Sequence, residues 1–235
     1  MTEPLKKPSK DDVSRPREHG YKYKKKFYRS ADVAQDYDFH RFGSEQRKKR
    51  DVRKWNTILA AIALTDGCES ILDVPCGTGR FTGHLARRGH RVVGSDISIE
   101  MMGVARDKLG EIEGMHGYTQ ADAENMPFHD AAFDCVMSIR FMFHLDPAAR
   151  VRVLREMRRV ARRWLIIDYR HRYSLRYAKW KVLRALRLTD KPLERVSTAQ
   201  LRQEFGDAGL TIRKVIPVAR IFSDKWIVLA EAPGN

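Results

Sequence analysis

The chain has 235 residues, of which 43% are hydrophobic and 9% are aromatic, and this composition supports a packed core and excludes a wholly disordered protein. Lys and Arg number 45 against 30 Asp and Glu, which gives a formal net charge of +15 at pH 7. Such a charge attracts anionic partners, namely nucleic acid, an anionic membrane surface or an acidic protein, without selecting among them.

The cysteines and the apolar runs indicate the compartment. Cys68, Cys76 and Cys135 lack the spacing of a metal site, and their odd number disfavours a disulfide framework. The first residues, MTEPLKKPSKDD, have no apolar core like that of a secretory signal, and no apolar run approaches the roughly 18 residues of a membrane span. We therefore predict no metal and a soluble, cytoplasmic protein.

The N-terminal quarter of the chain differs from the rest. Residues 1–20 are rich in Lys, Pro, Ser and Asp and are predicted to form a disordered basic tail. Residues 21–66 are predicted to form a lid and a helix, because aromatics interleave with lysines in YKYKKKFYR and apolar residues then recur at helical spacing from about residue 46 to 64. The core is predicted to span residues 67–235.

From residue 67 onward, short apolar runs alternate with helical segments. Asp146 and Pro147 are typical of a helix start, with Asp as the N-cap and Pro in the first helical position. Strands are predicted at about residues 70–74, 92–95, 117–121, 133–139 and 164–169, with helices at about 80–88, 99–109 and 147–159. This alternation predicts an α/β domain with a mainly parallel sheet and helices on both faces.

The C-terminal part ends the sheet differently. Ser197 and Gln200 have the spacing of a capping box for a helix that runs to about residue 207, and Gly209 ends it. Two further strands are predicted at about residues 211–217 and 225–231. The connection between them is too short for a crossover helix, so they should pair antiparallel. The predicted fold is therefore a Rossmann-like, doubly wound, mainly parallel seven-stranded sheet with a C-terminal antiparallel hairpin.

The segment ILDVPCGTGRF places a strand directly before a turn that contains Gly77 and Gly79. In open α/β folds ligands bind at this edge of the sheet, and glycines let a ligand approach the backbone. A dinucleotide-binding turn would read G-x-G-x-x-G. Here the third glycine is missing at that spacing, because Gly83 comes one residue later.

Two acidic residues accompany the turn. Asp73 lies beside it, where a carboxylate would repel a pyrophosphate and would suit an ammonium group. Asp96 follows the glycines by about twenty residues, at the end of the next predicted strand, where a carboxylate can accept hydrogen bonds from ribose hydroxyls. The alternative is that both only cap strand ends. The pattern favours a nucleoside with a cationic, amino-acid-like end and no phosphates.

Three ordered segments carry a family resemblance. LDVPCGTGRF, VVGSDIS and QADAENMPFHDAAFDCVMSIRFMFHLD resemble motifs of the class I S-adenosylmethionine-dependent methyltransferases, and most closely the methyltransferase type 11 group with the ubiquinone and menaquinone biosynthesis enzymes. The resemblance covers about residues 31–231 and implies a methyltransferase with S-adenosyl-L-methionine as its cofactor. Family members more often have a small residue where this chain has Pro75.

The resemblance also implies roles for individual residues. Asp73 is implied to lie near the cofactor's amino group, Asp96 to hold the ribose, and Asp122 to accept from the adenine amino group. An ordinary loop acid is the alternative for Asp122, and a surface charge is the alternative for Arg140. The implied cofactor-binding set is Asp73, Val74, Cys76, Gly77, Gly79, Asp96, Ile97, Met101, Asp122, Ala123 and Arg140.

Methyl transfer from a sulfonium requires mainly alignment and desolvation, so no obligatory catalytic triad is expected. His144 follows the fourth predicted strand and Tyr169 ends the fifth, which makes them candidates for contact with the acceptor. A packed, hydrogen-bonded side chain is the alternative for His144. A general base is needed only if the acceptor must first lose a proton.

Two segments outside the predicted sheet bear on the acceptor. The region before residue 43 resembles the family's lid, with the element Tyr37, Asp38, Arg41 and Phe42. Residues 170–195 form a basic insertion with an amphipathic helical pattern, which is typical of a helix that covers the sheet, lies on anionic lipid or binds RNA phosphates.

A small-molecule or lipid-like acceptor, with a protein that is peripheral at the membrane, is the favoured hypothesis. The alternatives are methylation of a macromolecule, either RNA or an acidic protein, and a non-catalytic cofactor-binding protein. A nicotinamide-dependent dehydrogenase is disfavoured by the glycine spacing and by the antiparallel end of the sheet.

Overall fold

A seven-stranded sheet organises the computed structural model of the chain. The structure describes residues 44–189, 193, 195–219 and 223–233, so the predicted tail and the lid element of Tyr37, Asp38, Arg41 and Phe42 lie outside the described residues. The elements, in chain order, are α1 (Glu45–Ile62), β1 (Ser70–Asp73), α2 (Arg80–Ala86), β2 (Arg91–Asp96), α3 (Ile99–Leu109), β3 (Met115–Gln120), β4 (Phe133–Ser138), a 3-10 helix (Met142–His144), α4 (Pro147–Val160), β5 (Ala161–Arg170), α5 (Leu175–Ala185), α6 (Thr198–Asp207), β6 (Thr211–Pro217) and β7 (Lys225–Glu231).

The strand order is β3-β2-β1-β4-β5-β7-β6. Strands β1 to β5 are parallel, whereas β7 pairs antiparallel with both β5 and β6. The predicted fold class is therefore confirmed. The order reverses at β1, which has β2 on one side and β4 on the other, and ligands of open α/β sheets bind at the carboxyl ends of the strands at such a point.

The helix starts follow the local capping chemistry. The Asp146 carboxylate accepts from the Ala149 amide at 2.8 Å, and Ser197 with Gln200 forms the predicted capping box. The 3-10 helix was not predicted, because three residues are too few to show a period. Strand β5 begins three residues earlier than predicted, because its first residues include the exposed Arg162 and Arg163, which hid the strand pattern.

Apolar side chains fill both faces of the sheet. One cluster packs α4 and α6 against the sheet, with Leu154 and Phe205 among its members. The other packs α1 and α2 against the opposite face, with Ile58 and Leu85. All six residues of β4 are buried, as expected for a parallel strand covered on both faces. Each fully buried large aliphatic side chain contributes about 1.5–3 kcal/mol, so both layers stabilise the sheet.

Within the part of the chain that the structure describes, no helix is long and apolar enough to cross a membrane. The predicted basic insertion at 170–195 contains α5, which lies just beyond the carboxyl end of β5. The insertion therefore begins at the same edge of the sheet as the glycine turn.

Candidate functional site

The glycine turn joins β1 to α2 and is packed on one side and open on the other. Gly77 and Gly79 have φ angles of 53° and 72°, in the left-handed region that glycine adopts readily. A Cβ atom on Gly79 would lie 2.8 Å from the Ala105 Cβ in α3, so a larger residue would displace that helix. A Cβ atom on Gly77 would meet no heavy atom of the described chain within 4 Å. The backbone at Gly77 therefore borders open space.

Asp73 is the last residue of β1 and is only 2% exposed. Its Oδ2 accepts a hydrogen bond from the Thr82 hydroxyl in α2 at 2.6 Å. Burial raises the pKa of Asp73 to about 7, because the Thr82 hydrogen bond only partly offsets the loss of water, and the charge of Asp96 raises it further. This carboxylate titrates near neutral pH.

Asp96 is the last residue of β2 and is 6% exposed. Its Oδ2 accepts from the Gly77 amide at 2.8 Å, and its Oδ1 accepts from the Ser98 amide at 3.0 Å. Burial raises the pKa of Asp96, although these backbone hydrogen bonds act in the opposite direction. Each oxygen keeps a further lone pair, so Asp96 fixes the turn and can still accept from a ligand.

The two carboxylates share an electrostatic property. Among the described residues, no Lys, Arg or His nitrogen forms an ion pair with Asp73 or Asp96, and their hydrogen-bond donors are neutral. A buried carboxylate without a cation is costly. The turn is therefore complementary to a ligand that brings positive charge and hydrogen-bond donors.

Proteins with related sequences carry methyltransferase names. A family model described as a methyltransferase domain matches residues 71–163. The chain is 38% identical to the methyltransferase GfsG of Streptomyces halstedii over 95 residues, which are 39% of this chain and 34% of that protein. It is 35% identical over 113 residues, 44% of each chain, to the ubiquinone/menaquinone biosynthesis C-methyltransferase UbiE of Pseudomonas paraeruginosa.

A solved structure extends the similarity to most of the chain. The magnesium protoporphyrin IX methyltransferase ChlM of Synechocystis PCC 6803 with bound SAH has a TM-score of 0.72 at 20% identity, covering 90% of this chain and 99% of that one. The chain has a class I methyltransferase fold. The predicted resemblance is thereby confirmed for the fold and for the domain that the family model matches. The chain spans less than half the length of both curated relatives.

Four amides of the glycine turn are already engaged within the domain. Val74 donates to the Met137 carbonyl, Cys76 to the Ser95 carbonyl, and Gly79 to the Cys76 carbonyl, at 2.8 to 3.0 Å. The Gly77 amide donates to Asp96. These four N–H groups are therefore already used, whereas each carbonyl oxygen of the turn has two lone pairs with which it can accept. Burial raises the pKa of the Cys76 thiol well above its usual value, which disfavours a role as a nucleophile.

Four further members of the implied cofactor-binding set, Ile97, Met101, Asp122 and Ala123, lie beside Asp96. Met101 in α3 is buried and Ile97 is half-buried. The Ala121 amide donates to the Asp96 carbonyl at 3.0 Å, so the loop after β3 starts next to β2. In that loop the Asp122 Oδ1 accepts from the Glu124 amide at 3.2 Å, and Ala123 is buried. The structure brings these residues together, and their contact with a cofactor stays a prediction.

Arg140 and His144 lie after β4, at the carboxyl edge. Arg140 has a φ of 68° and is half-buried, and its charge lowers the pKa of Lys54 and of Lys225. It therefore lies near the carboxyl end of β5 as well as that of β4. His144 ends the 3-10 helix, with its ring 4.2 Å from that of Phe143. Their predicted contacts with cofactor and acceptor stay predictions.

Tyr169 does not fit its candidate role. It is fully buried, packs on Phe205 of α6, and donates its hydroxyl to the Glu204 carboxylate at 3.0 Å. Burial raises the pKa of Tyr169 well above its usual value. The pleat of β5 turns this side chain into the core under α4 and α6, so the prediction that Tyr169 contacts the acceptor is wrong.

The neighbouring residue, Asp168, points to the opposite face and forms a buried ion pair with Lys54 of α1. Burial lowers the pKa of Lys54 to about 8, although Asp168 raises it. A second ion pair joins Asp51 of α1 to Arg80, the residue after Gly79. Together they fix α1 beside the glycine turn. The sequence pattern missed this, because Lys54 resembles any polar residue of a surface helix.

Proposed function

We propose that the chain is an S-adenosyl-L-methionine-dependent methyltransferase that holds this cofactor at the glycine turn. The observation that carries the proposal is the pair of buried carboxylates, Asp73 and Asp96, which lack a cation among the described residues and flank the open backbone of Gly77. S-adenosylmethionine carries a sulfonium and an ammonium group and no phosphate, so its charge complements this site.

The residues of the turn suit the separate parts of the cofactor. Carbonyl oxygens of the turn and the Asp73 carboxylate accept from the ammonium group. The free lone pairs of Asp96 accept from the ribose hydroxyls. Ile97, Met101 and the loop with Asp122 and Ala123 lie next to Asp96 and enclose the adenine. We propose this division of roles for these residues of the implied cofactor-binding set.

When bound, the cofactor supplies a methyl group activated by the sulfonium. The chain's own contribution is to hold the donor in one orientation and to exclude water from the reacting atoms. His144 is the candidate to accept a proton if the acceptor must lose one. It lies on the 3-10 helix at the carboxyl end of β4, the strand next to β1.

For the acceptor we favour a small or lipid-like molecule, handled at an anionic membrane face. The names of similar proteins support a small acceptor, since they refer to ubiquinone, menaquinone and magnesium protoporphyrin IX. RNA or an acidic protein remains the alternative, supported by the net charge of +15. A non-catalytic binding protein is disfavoured, because both carboxylates and both glycines of the site are present.

Calorimetric titration of the full chain tests the cofactor. We expect S-adenosylmethionine and S-adenosylhomocysteine to bind and NADH not to bind. The variant Asp96→Ala should weaken S-adenosylmethionine binding about tenfold or more, because hydrogen bonds to a charged group contribute about 1.5–3 kcal/mol each. Unchanged affinity in this variant, or binding of NADH alone, would overturn the proposal.

Asp134 provides a matched control for Asp96. It is also a buried carboxylate near a strand end, but it is the second residue of β4, at the opposite edge, where it accepts from the Ser70 amide at 2.8 Å and pairs with Arg162. The variant Asp134→Ala should lower stability without weakening cofactor binding. A separate experiment identifies the acceptor class. The protein is incubated with labelled S-adenosylmethionine and with the protein, RNA, lipid or small-molecule fraction of a lysate, and the fraction that takes up the label contains the acceptor.

A further inference from the structure

Helix α5 turns its most apolar face to solvent. It contains no buried residue, and its half-buried residues are Tyr177, Trp180 and Leu183. On the other side, Leu175, Val182 and Leu186 are 55%, 58% and 62% exposed. At 3.6 residues per turn these three side chains fall within about 40° of one another around the helix axis. We call these three residues the aliphatic stripe.

All the charged residues around the stripe are basic. Residues 172–188 contain no Asp or Glu, and their six cations are Arg172, Arg176, Lys179, Lys181, Arg184 and Arg187. Tyr173 and Leu188 are exposed as well and extend the apolar surface beyond both ends of the helix. Soluble proteins seldom leave a contiguous apolar surface uncovered unless it binds something.

The combination of charge and apolar area selects the partner. An anionic bilayer accepts aliphatic side chains at the boundary of headgroups and acyl chains while its headgroups attract the flanking cations. RNA would satisfy the cations and leave the aliphatic stripe in water. The stripe and the flanking cations together therefore favour lipid.

The residues just before α5 contact the sheet, and these contacts fix the orientation of the aliphatic stripe relative to the sheet. The His171 ring stacks on that of Trp226 in β7 at 4.2 Å between centroids, and the Tyr173 hydroxyl and the Thr198 hydroxyl lie 3.3 Å apart. Ser174 caps α5 by accepting from the Tyr177 amide. This anchor lies at the carboxyl edge of the sheet, as does the glycine turn.

We propose that α5 docks the protein on an anionic bilayer surface, with the aliphatic stripe inserted at the interface and the flanking cations on the headgroups. The docking deepens the proposed function, since it would bring the carboxyl edge of the sheet to a membrane where a lipid-like acceptor resides. The docking itself does not require methyl transfer, so an experiment can refute the docking without refuting the proposed methyltransferase activity.

Vesicle sedimentation with the full chain tests the docking. The protein should bind vesicles of phosphatidylcholine mixed with phosphatidylglycerol and should bind pure phosphatidylcholine much more weakly. The double variant Val182→Glu and Leu186→Glu should lose about tenfold or more in vesicle affinity. The matched control is Leu64→Glu, since Leu64 is 53% exposed and lies near Asp66, which contacts Trp164 at the amino end of β5. It should bind like the unaltered protein.

A second set of variants separates charge from insertion. Lys181→Glu with Arg184→Glu should weaken binding to the anionic vesicles, whereas Arg87→Glu with Arg91→Glu, at the amino edge, should not. Charge variants that abolish binding while the stripe variant binds normally would overturn insertion. Binding to RNA without binding to vesicles would overturn the choice of partner. If the unaltered protein binds S-adenosylmethionine but no vesicles, the docking is refuted and the proposed cofactor site stands.

Discussion

The domain contains two kinds of buried carboxylate. Asp73 and Asp96, at the glycine turn, accept hydrogen bonds from neutral donors, and burial raises the pKa of both. Asp168 and Glu204 are just as buried, but each faces a cation: Lys54 pairs with Asp168 and Arg150 pairs with Glu204. The same chemical group is thus neutralised in one region and left without a described counter-charge in the other.

The difference separates what holds the layers together from what is reserved for a ligand. Lys54 joins α1 to β5 and Arg150 joins α4 to α6, so the paired carboxylates connect elements across the core. Asp73 and Asp96 lie at the carboxyl ends of two neighbouring strands beside an open backbone. Buried charge without a partner is costly. We infer that the cost is accepted at the turn because a cationic ligand offsets it.

The largest expected effect comes from breaking a paired carboxylate. Arg150 donates to both oxygens of Glu204 at 2.6 to 3.1 Å and to the Leu145 carbonyl at 2.8 Å. The variant Arg150→Met leaves Glu204 buried without its cation and should lower the free energy of unfolding by about 3–5 kcal/mol. Urea denaturation measures this loss.

The double variant Arg150→Met with Glu204→Leu is the control, because it removes the stranded charge as well. It should recover much of the lost stability. If the single variant is as stable as the unaltered protein, or if the double variant is no better than the single one, the ion pair does not hold α4 to α6.

The next effect concerns Asp73, which has no cation among the described residues. Here a substitution that removes the charge should raise the free energy of unfolding. Burial raises the pKa of Asp73 from 3.8 to about 7, so between these values the folded state binds a proton more tightly than the unfolded state does. The contribution of Asp73 to the stability of the cofactor-free protein should therefore fall as pH rises from about 4 to about 7. The variant Asp73→Asn removes the charge and should flatten this fall.

Denaturation at a series of pH values measures the difference between Asp73→Asn and the unaltered protein. We expect the variant to gain relative stability as pH rises and to bind S-adenosylmethionine more weakly at neutral pH. A constant stability difference across this range would mean that Asp73 is ionised at acidic pH, and the contrast with the paired carboxylates would be lost.

The elements of the fold were predictable where the pattern is local. The observed bounds of α3, β6 and β7 match the predicted ones, because capping residues and alternating apolar positions are read within one segment. The carboxylates of the turn were also predictable, since Asp73 and Asp96 stand at fixed spacings from Gly77. Both signals depend on residues close together in the chain or on strand ends that must meet at one edge.

The partners across the core were not predictable. Lys54 and Asp168 are separated by 114 positions, and nothing in either segment indicates that they meet. Tyr169 was assigned to the open edge, but β5 is buried on both faces, so the pattern could not tell which of Asp168 and Tyr169 points toward α1. Charge pairing inside a two-layer core is decided by packing, which a single sequence does not display.

The smallest effect tests the hydrogen bond that keeps Asp73 partly ionised. Thr82 donates to its Oδ2 at 2.6 Å and thereby lowers the pKa of Asp73. The variant Thr82→Val removes a hydrogen bond to the charged form, worth about 1.5–3 kcal/mol, and should raise that pKa by about one unit or more. Since we propose that the ionised form binds the cofactor, the pH at which S-adenosylmethionine affinity is half-maximal should rise by the same amount as the pKa.

The control variant Thr57→Val removes a comparable hydrogen bond, to the Arg53 carbonyl in α1 at 2.8 Å, and should leave that pH unchanged. A midpoint that does not move in Thr82→Val would mean that ionisation of Asp73 does not govern binding, and that Asp96 alone supplies the charge that the ligand neutralises.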